Sequence, residues 1–497
     1  LIRPSLSILA VGILAGNTFA QLGGEITGES ASSAGTAGAS QLQGDSLFDG
    51  ATNPATVLDL FGPRSRHPQA RYRFEVLGRA LRPNVTQRDS SGALIDQTVE
   101  DGFGPWIGMA GLAGERAAWS LMLHPTAAGE YQALRDTQLE IVTVNPDGSG
   151  GPASDLVAVE TELLQIALDG ALAWRVSREW NFGVGLSLRQ TDLTTASATE
   201  VGLDQLNGAI PDSLSGIFGD ISWGELITDL GSARGVDAFQ VNFRGDADAA
   251  KPQLFLQFGG RWEPDDRTRV GFWYRPPSSA TNLEGEVDVD LGADLGAFVE
   301  NLESTLSVAL LDDPTSHYDL KVAGIRLPQQ AGVSWMRYLP QGRRVHARAV
   351  WTDWSASFSG WSAKLSNPSN PEFTDYLGGD GSIDVDLGLS WKDSLSLSVG
   401  GEQDFGQRFT VRSGLGWARN PVGGAVLGGL APYNQLHAAA GASWWAAPDG
   451  HVDWHFAAVV ALPESWTSDR NPSFQDLSRD RYRQSVWSLL LAMTVSW

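Results

Sequence analysis

The chain has 497 residues, no cysteine, 42% hydrophobic residues, 57 glycines, 19 tryptophans and a formal net charge of -23 at pH 7. The missing cysteines exclude disulfides, thiolate metal sites and a lipid-modified N-terminal cysteine, and the acidic balance argues against nucleic acid as a partner. No apolar run is long enough to span a bilayer as a helix, so the hydrophobic residues must be spread over alternate positions, with the acidic ones solubilising long external loops.

Residues 1–20 carry Arg3, an apolar core from Leu6 to Ala15, and Thr18-Phe19-Ala20 before Gln21. This is the layout of a secretory signal peptide, and the segment is set aside from the fold. Residues 21–62 are rich in Gly, Ala and Ser, the composition of a linker, until Asn53-Pro54-Ala55 fixes a turn. The apolar tail after it (Val57, Leu58, Leu60) needs a surface to pack on.

Alternation of period 2 begins at Arg71. Tyr72, Phe74, Val76 and Ala80 share one face, and Arg71, Arg73, Glu75 and Arg79 share the other. A Lys or Arg turned toward hydrocarbon costs about 2 to 4 kcal/mol near the midplane, so the charged parity is expected to face a lumen, and the same test orients the later segments. Fourteen segments qualify: 70–82, 104–113, 116–125, 157–176, 181–194, 250–262, 267–290, 317–338, 343–355, 382–404, 408–419, 433–447, 451–463 and 484–497. Short turns and long loops alternate between them, as an up-and-down barrel with both ends in the periplasm requires. Two long loops, Gly202 to Leu230 and Leu295 to Leu310, carry apolar residues at helical spacing, which predicts partial helix there.

The last segment is the clearest. Trp487, Leu489, Leu491, Met493, Val495 and Trp497 fall on one parity, and Ser488, Leu490, Ala492, Thr494 and Ser496 on the other. A strand greasy on one face that ends on an aromatic suits a strand closing a barrel in outer-membrane lipid, and presents itself to the barrel-assembly machinery as a partner.

Four motifs carry a resemblance to the long-chain fatty acid transporter (FadL) family of outer-membrane proteins. They are Asn53-Pro54-Ala55; Val270-Gly271-Phe272-Trp273-Tyr274-Arg275; Leu327-Pro328 followed by Gly332-Val333-Ser334-Trp335 and Trp354-Ser355; and Trp391-Lys392-Asp393 followed by Arg412-Ser413-Gly414 and Asn420-Pro421-Val422. The resemblance implies an all-β fold: a transmembrane antiparallel up-and-down β-barrel of about 14 strands over residues 63–497, plugged by an N-terminal hatch, here 21–62, with partly helical extracellular loops. It also implies uptake of hydrophobic molecules and lateral exit at a kinked third strand. That strand is Arg116 to Pro125 here, where Pro125 and Gly129 are the kink candidates.

For a lumen that carries an amphipathic anion, the inward parity offers Arg189, Arg261, Arg275, Arg348 and Arg412 as headgroup ligands, with Arg348 and Arg412 foremost. Phe255, Trp273, Trp354 and Trp445 offer an apolar wall. The same arginines could instead pair with lumenal Glu162, Asp169 or Glu402 and stiffen the barrel. His451 and His455 stand about 13 Å apart along a strand, too far to share a metal. No Gly-x-Ser-x-Gly elbow, phosphate loop or HExxH occurs. The expectation is a bacterial outer-membrane channel for hydrophobic or amphipathic small molecules, without cofactor or covalent chemistry. The alternative is a structural or adhesive barrel with no transport role.

Overall fold

The computed structural model describes residues 29–62, 65, 67–88, 94–99, 102–144, 150–202, 206–210, 212–226, 238–290, 313, 315–358, 362–386, 391–421, 436–445, 451–467 and 481–497. The expected signal peptide and the expected helix at Leu295 to Leu310 lie outside them.

Twenty ladder segments form one antiparallel sheet among these residues. Six pairs of them are halves of a single crossing, which leaves fourteen crossings: β1 (Tyr72–Arg88), β2 (Leu94–Val99 and Gly102–Leu112), β3 (Ala117–Val144), β4 (Gly150–Arg175), β5 (Trp180–Gly202), β6 (Ala238–Ala249 and Gln253–Asp265), β7 (Thr268–Arg275 and Thr281–Asp290), β8 (Thr315–Ile325 and Gln330–Leu339), β9 (Arg343–Thr352 and Ser362–Ser366), β10 (Ile383–Asp386 and Ser394–Phe405), β11 (Phe409–Ala418), β12 (Leu436–Trp445), β13 (Val452–Thr467) and β14 (Arg481–Ser496). Each pairs with the next, and β14 pairs with β1 from Ser496↔Arg73 to Arg481↔Arg88. The ring is therefore closed by the β14/β1 seam.

Period-2 chemistry explains the wall. In β6 Phe255 and Gln257 are buried inside while Leu254, Leu256 and Phe258 are exposed outside. Toward the short turns, Trp180 stacks on Phe182 and Trp262 at 5.7 Å, part of the aromatic girdle expected at a bilayer interface.

One expectation is corrected. Residues 126–156 are not simply a loop, because β3 and β4 continue their ladder through a bulge between Pro125 and Ala127 and extend to Val144 and from Gly150. A bulge absorbs one residue and lets pairing resume, so a proline need not end a strand. The 202–230 loop is partly helical, as expected: Asp212–Phe218 is a helix and a further helical turn covers residues 223–226, with Leu206, Ile210 and Leu214 buried and Ile217 67% exposed.

The charged parity also does not always face inward. In the second half of β7, Leu283, Val287 and Val289 are buried inside, and Glu284, Glu286 and Asp288 are exposed outside. Odd-numbered residues face inward in both halves of β7, Arg275 in the first and Leu283 in the second, but the chemistry swaps, since this part of the wall stands beyond the hydrocarbon and meets water.

Glu29 to Phe61 fill the ring, and every one of these residues is buried. Ser30 caps the helix Ala31–Ala34 in a reciprocal capping box with Ser33. Asn53 caps the 3-10 stretch Pro54–Phe61, its Oδ1 accepting from Ala55 N at 3.1 Å, with Pro54 in the first turn where its missing N–H is harmless. The apolar tail that the sequence left seeking a surface finds one. Val57, Leu58, Leu60 and Phe61 join Leu47 and Phe48 in a core with Leu77, Trp106, Met122 and Leu490 of the wall.

Candidate functional site

The inner wall holds the plug by a set of charged clamps. Arg412 Nη2 donates to Asp45 at 2.6 Å, its Nη1 donates to Ser443, and its Nε lies 3.4 Å from Glu402. Glu402 in turn accepts from Arg344 Nε at 3.0 Å. Across the ring, Arg261 pairs with Asp59 at 2.8 Å, Arg269 Nη1 donates to the Leu42 carbonyl at 2.6 Å, and Glu75 accepts from Ser46 Oγ at 2.7 Å and Leu47 N at 2.9 Å. Asn53 Nδ2 donates to the Gly260 carbonyl at 3.3 Å. Glycine on the wall lets the two backbones meet: a Cβ on Gly414 would lie 2.2 Å from the Thr36 carbonyl, and one on Gly183 would lie 2.5 Å from Ala55 N. Inside the plug, burial pushes the Asp49 carboxyl well above the ordinary range, although Ser30 Oγ donates to it at 2.8 Å.

A second group of arginines sits closer to the long loops. Arg189 lies 4.6 Å from the centre of the Phe255 ring; Arg275 lies 5.9 Å from Phe255 and 6.0 Å from Trp273; Arg348 lies 6.0 Å from Trp273. Three buried cations are thus linked by two aromatic rings, contacts worth about 0.5 to 2 kcal/mol each. The plug backbone meets this cluster, since Arg275 Nη2 donates to the Ala51 carbonyl at 3.1 Å and Arg348 Nη1 to that of Gly38 at 3.4 Å.

Of the residues expected to meet a ligand, the structure gathers Arg189, Arg275, Arg348, Phe255 and Trp273 in this cluster. It places Arg261 and Arg412 in the plug clamps. Trp354 begins a short helix, Trp354–Phe358, between the halves of β9 and packs edge-on against Trp391 at 5.6 Å. Trp445 stands near the opposite end, edge-on to His455 at 6.5 Å. Asp45, Glu75 and His124 were missed. Glu75 was read on the inward charged parity, but neither it nor Asp45 showed its role as a clamp, because the partner lies hundreds of residues away or within a segment of linker composition. His124 had a faint signal, a histidine on the inward parity beside Pro125.

The wall is incomplete beside Pro125. β3 pairs with β2 from Ala118↔Leu112 to Leu123↔Ile107 and again from Tyr131↔Val99, but among the described residues His124 to Glu130 has no partner in β2. On its other side the strand stays paired with β4, Gly129 opposite Leu163. Pro125 fills part of the gap by packing on Gly104, where an added Cβ would lie 2.4 Å from its Cγ.

A closed barrel greasy outside, polar inside and filled by its own N-terminal segment is an outer-membrane transport barrel. The chain belongs to the outer membrane protein transport protein family (OMPP1/FadL/TodX), which it matches over residues 148–495. It is accordingly a transport protein of the bacterial outer membrane. Its fold is that of the Pseudomonas putida toluene transporter TodX (TM-score 0.65, 15% identity, 95% of this chain and 99% of the other covered) and of the Ralstonia pickettii toluene transporter TbuX (0.62, 14%, 95% and 99%). A Pseudomonas aeruginosa FadL homologue is similar (0.61, 17%, 94% and 98%). No curated protein sequence matches the chain.

Proposed function

We propose that the protein admits hydrophobic or amphipathic small molecules by passive diffusion, with residues 21–62 acting as a movable hatch and the β2/β3 gap as a side exit into the membrane. The observation that carries this reading is the arginine and aromatic cluster resting on the plug backbone: Phe255 and Trp273 offer apolar surface, and Arg189, Arg275 and Arg348 offer donors for an anionic headgroup. The printed names of the similar structures, toluene transporters and a FadL homologue, support an apolar cargo. Outer-membrane lipid surrounds the exposed belt, and β14, followed directly by Trp497, is the segment the barrel-assembly machinery would engage.

The test is uptake by cells whose outer membrane lacks other channels of this family. Entry of labelled dodecanoic acid or toluene, but not of a disaccharide, is expected on expression of this protein. Entry of none of them would favour the structural-barrel alternative.

A further inference from the structure

The outer face of the barrel changes sign from one side to the other. In a chain with 58 acidic and 35 basic residues, Arg82 and Arg88 of β1 and Arg481 and Arg483 of β14 all stand on the outward parity and are exposed. On the opposite side of the ring, the outward positions Asp246, Glu286 and Asp319 of β6, β7 and β8 share one register row.

Register sets the spacing of the arginines. Arg82 lies opposite Trp487, Thr86 opposite Arg483 and Arg88 opposite Arg481. Arg88 and Arg481 therefore face each other at about 5 Å between Cα atoms, with Arg483 about 7 Å further along β14. Like charges set directly opposite destabilise a strand pair, so an anion between them stabilises this seam. The flanking register neighbours are uncharged: Ser465 and Thr467 of β13 beside Arg483 and Arg481, and Leu94 of β2 beside Arg88. Leu94–Val99 holds one carboxylate, Asp96, against the three arginines.

The seam also fixes their height. Tyr72 and Trp497, their rings 6.1 Å apart, mark one edge of the apolar belt on these strands, and Trp487 in the row of Arg82 marks the other. From Tyr72 to Arg82 the strand climbs about 25 Å at a tilt of about 40°, the height of an outward apolar band. Arg483, Arg481 and Arg88 stand about 10 to 15 Å beyond that edge, toward the long loops and so among the headgroups of the outer leaflet. Directly beneath them the lipid face is hollow. Gly78 and Ala80, small residues between Leu489, Leu491, Trp454 and Phe456, leave a groove of about 460 Å³ that ends one outward position short of Arg82.

The structure assigns to this seam one molecule of a phosphorylated glycolipid of the outer leaflet, with an acyl chain in the groove at Gly78 and Ala80 and its phosphates held by Arg82, Arg88, Arg481 and Arg483. A planar guanidinium binds two phosphate oxygens at once, and basic patches beside the hydrocarbon select anionic lipid headgroups. Groove and patch follow each other up the same strands in the order in which a lipid joins tail to head. A free phosphate has no use for the groove, and a hydrocarbon none for the arginines. The site lies on the outer wall and does not depend on what passes through the lumen.

The test measures lipopolysaccharide retained by the full chain after extraction from outer membranes in mild detergent and washing with EDTA, which strips glycolipid held only through bridging divalent cations. Native mass spectrometry is expected to show the added mass of one glycolipid per barrel. Arg88→Gln, Arg481→Gln and Arg483→Gln combined should lower its occupancy at least about tenfold, and Ala80→Phe, which fills the groove, at least about threefold. Lys321→Gln with Lys364→Gln, outward on the far side of the barrel, should leave it within about twofold of the parent. Parental occupancy in the arginine variant or in Ala80→Phe, or an equal loss in the lysine control, overturns the site. So does the added mass of a second barrel in place of a glycolipid, or inorganic phosphate competing as well as lipid A, mole for mole. Should the variants not fold, the unmutated protein decides: it binds lipid A at least about tenfold tighter than dephosphorylated lipid A if the site is right, and equal binding rejects it.

Discussion

Arg412 and Asp45, 367 residues apart in the chain, meet at 2.6 Å inside the ring, with Glu402 on the other side of the same guanidinium at 3.4 Å. One arginine on β11 thus balances a plug carboxylate and a wall carboxylate together. Removing it leaves two acids buried without their shared cation, a loss of about 3 to 5 kcal/mol for a broken buried pair. Arg412→Ala is expected to lower the thermal unfolding temperature and to make the barrel leak small sugars in a liposome swelling assay. Unchanged melting and swelling would show that the clamp does not secure the plug.

Close approach of backbones supplies a second hold. A methyl at Gly414 would meet the Thr36 carbonyl at 2.2 Å, whereas one at Gly170 has nothing nearer than the Leu186 carbonyl at 4.0 Å. Gly414→Ala should shift the plug at a cost of about 1 to 3 kcal/mol, the usual range for overpacking. Proteolysis within residues 29–61 is expected to quicken in Gly414→Ala and to stay at the parental rate in Gly170→Ala.

The arginine and aromatic cluster makes a separable claim about ligands. Arg348→Met retains the length of the side chain and removes its charge, while Trp273→Ala removes apolar surface and the ring under two guanidiniums. Titration calorimetry in detergent should show Arg348→Met weakening dodecanoic acid by about 10-fold, the worth of one charge-assisted hydrogen bond, with toluene unaffected. Trp273→Ala should weaken both. Loss of toluene binding in Arg348→Met would contradict the division of roles.

Asp49 gives the plug a pH dependence of definite sign. Burial raises its carboxyl well above the ordinary range in the folded state, so the docked plug keeps a proton that the undocked segment releases. Docking is favoured while that carboxyl is protonated and weakens as pH rises from the ordinary carboxylate range through the raised value. Amide exchange over Leu47–Ala51, corrected for its intrinsic rate, should accelerate as pH rises above the ordinary carboxylate range. Asp49→Asn retains an acceptor for Ser30 and should flatten that dependence.

Much of the barrel was legible because hydrocarbon imposes one rule on every strand that crosses it. Parity alone placed Arg189, Arg275, Arg348 and Arg412 inside, and the aromatic close of β14 marked the seam with β1. The rule failed where its cause was absent. In the second half of β7 the outer face meets water, so Glu284 and Asp288 point outward and Leu283 and Val289 inward. Parity also could not rank the arginines. Arg412 and Arg348 look alike on their strands, and only the path of the plug decides that one faces Asp45 and the other Trp273. Trp354 lay beyond reach for a different reason, since a helical turn interrupts β9 and period 2 stops there.

The reversal along β7, from Phe272 and Tyr274 to Glu284, Glu286 and Asp288 on one outer face, fixes the waterline of the molecule. Sliding deeper would drag carboxylates into oil, and rising would strand bare aromatics in water, so neither displacement can relieve a membrane of unsuitable thickness. The surrounding lipids must stretch or compress to meet the protein. Its depth of immersion, and with it the leaflet at which the β2/β3 gap opens, is therefore written into the wall and does not depend on what the lumen contains.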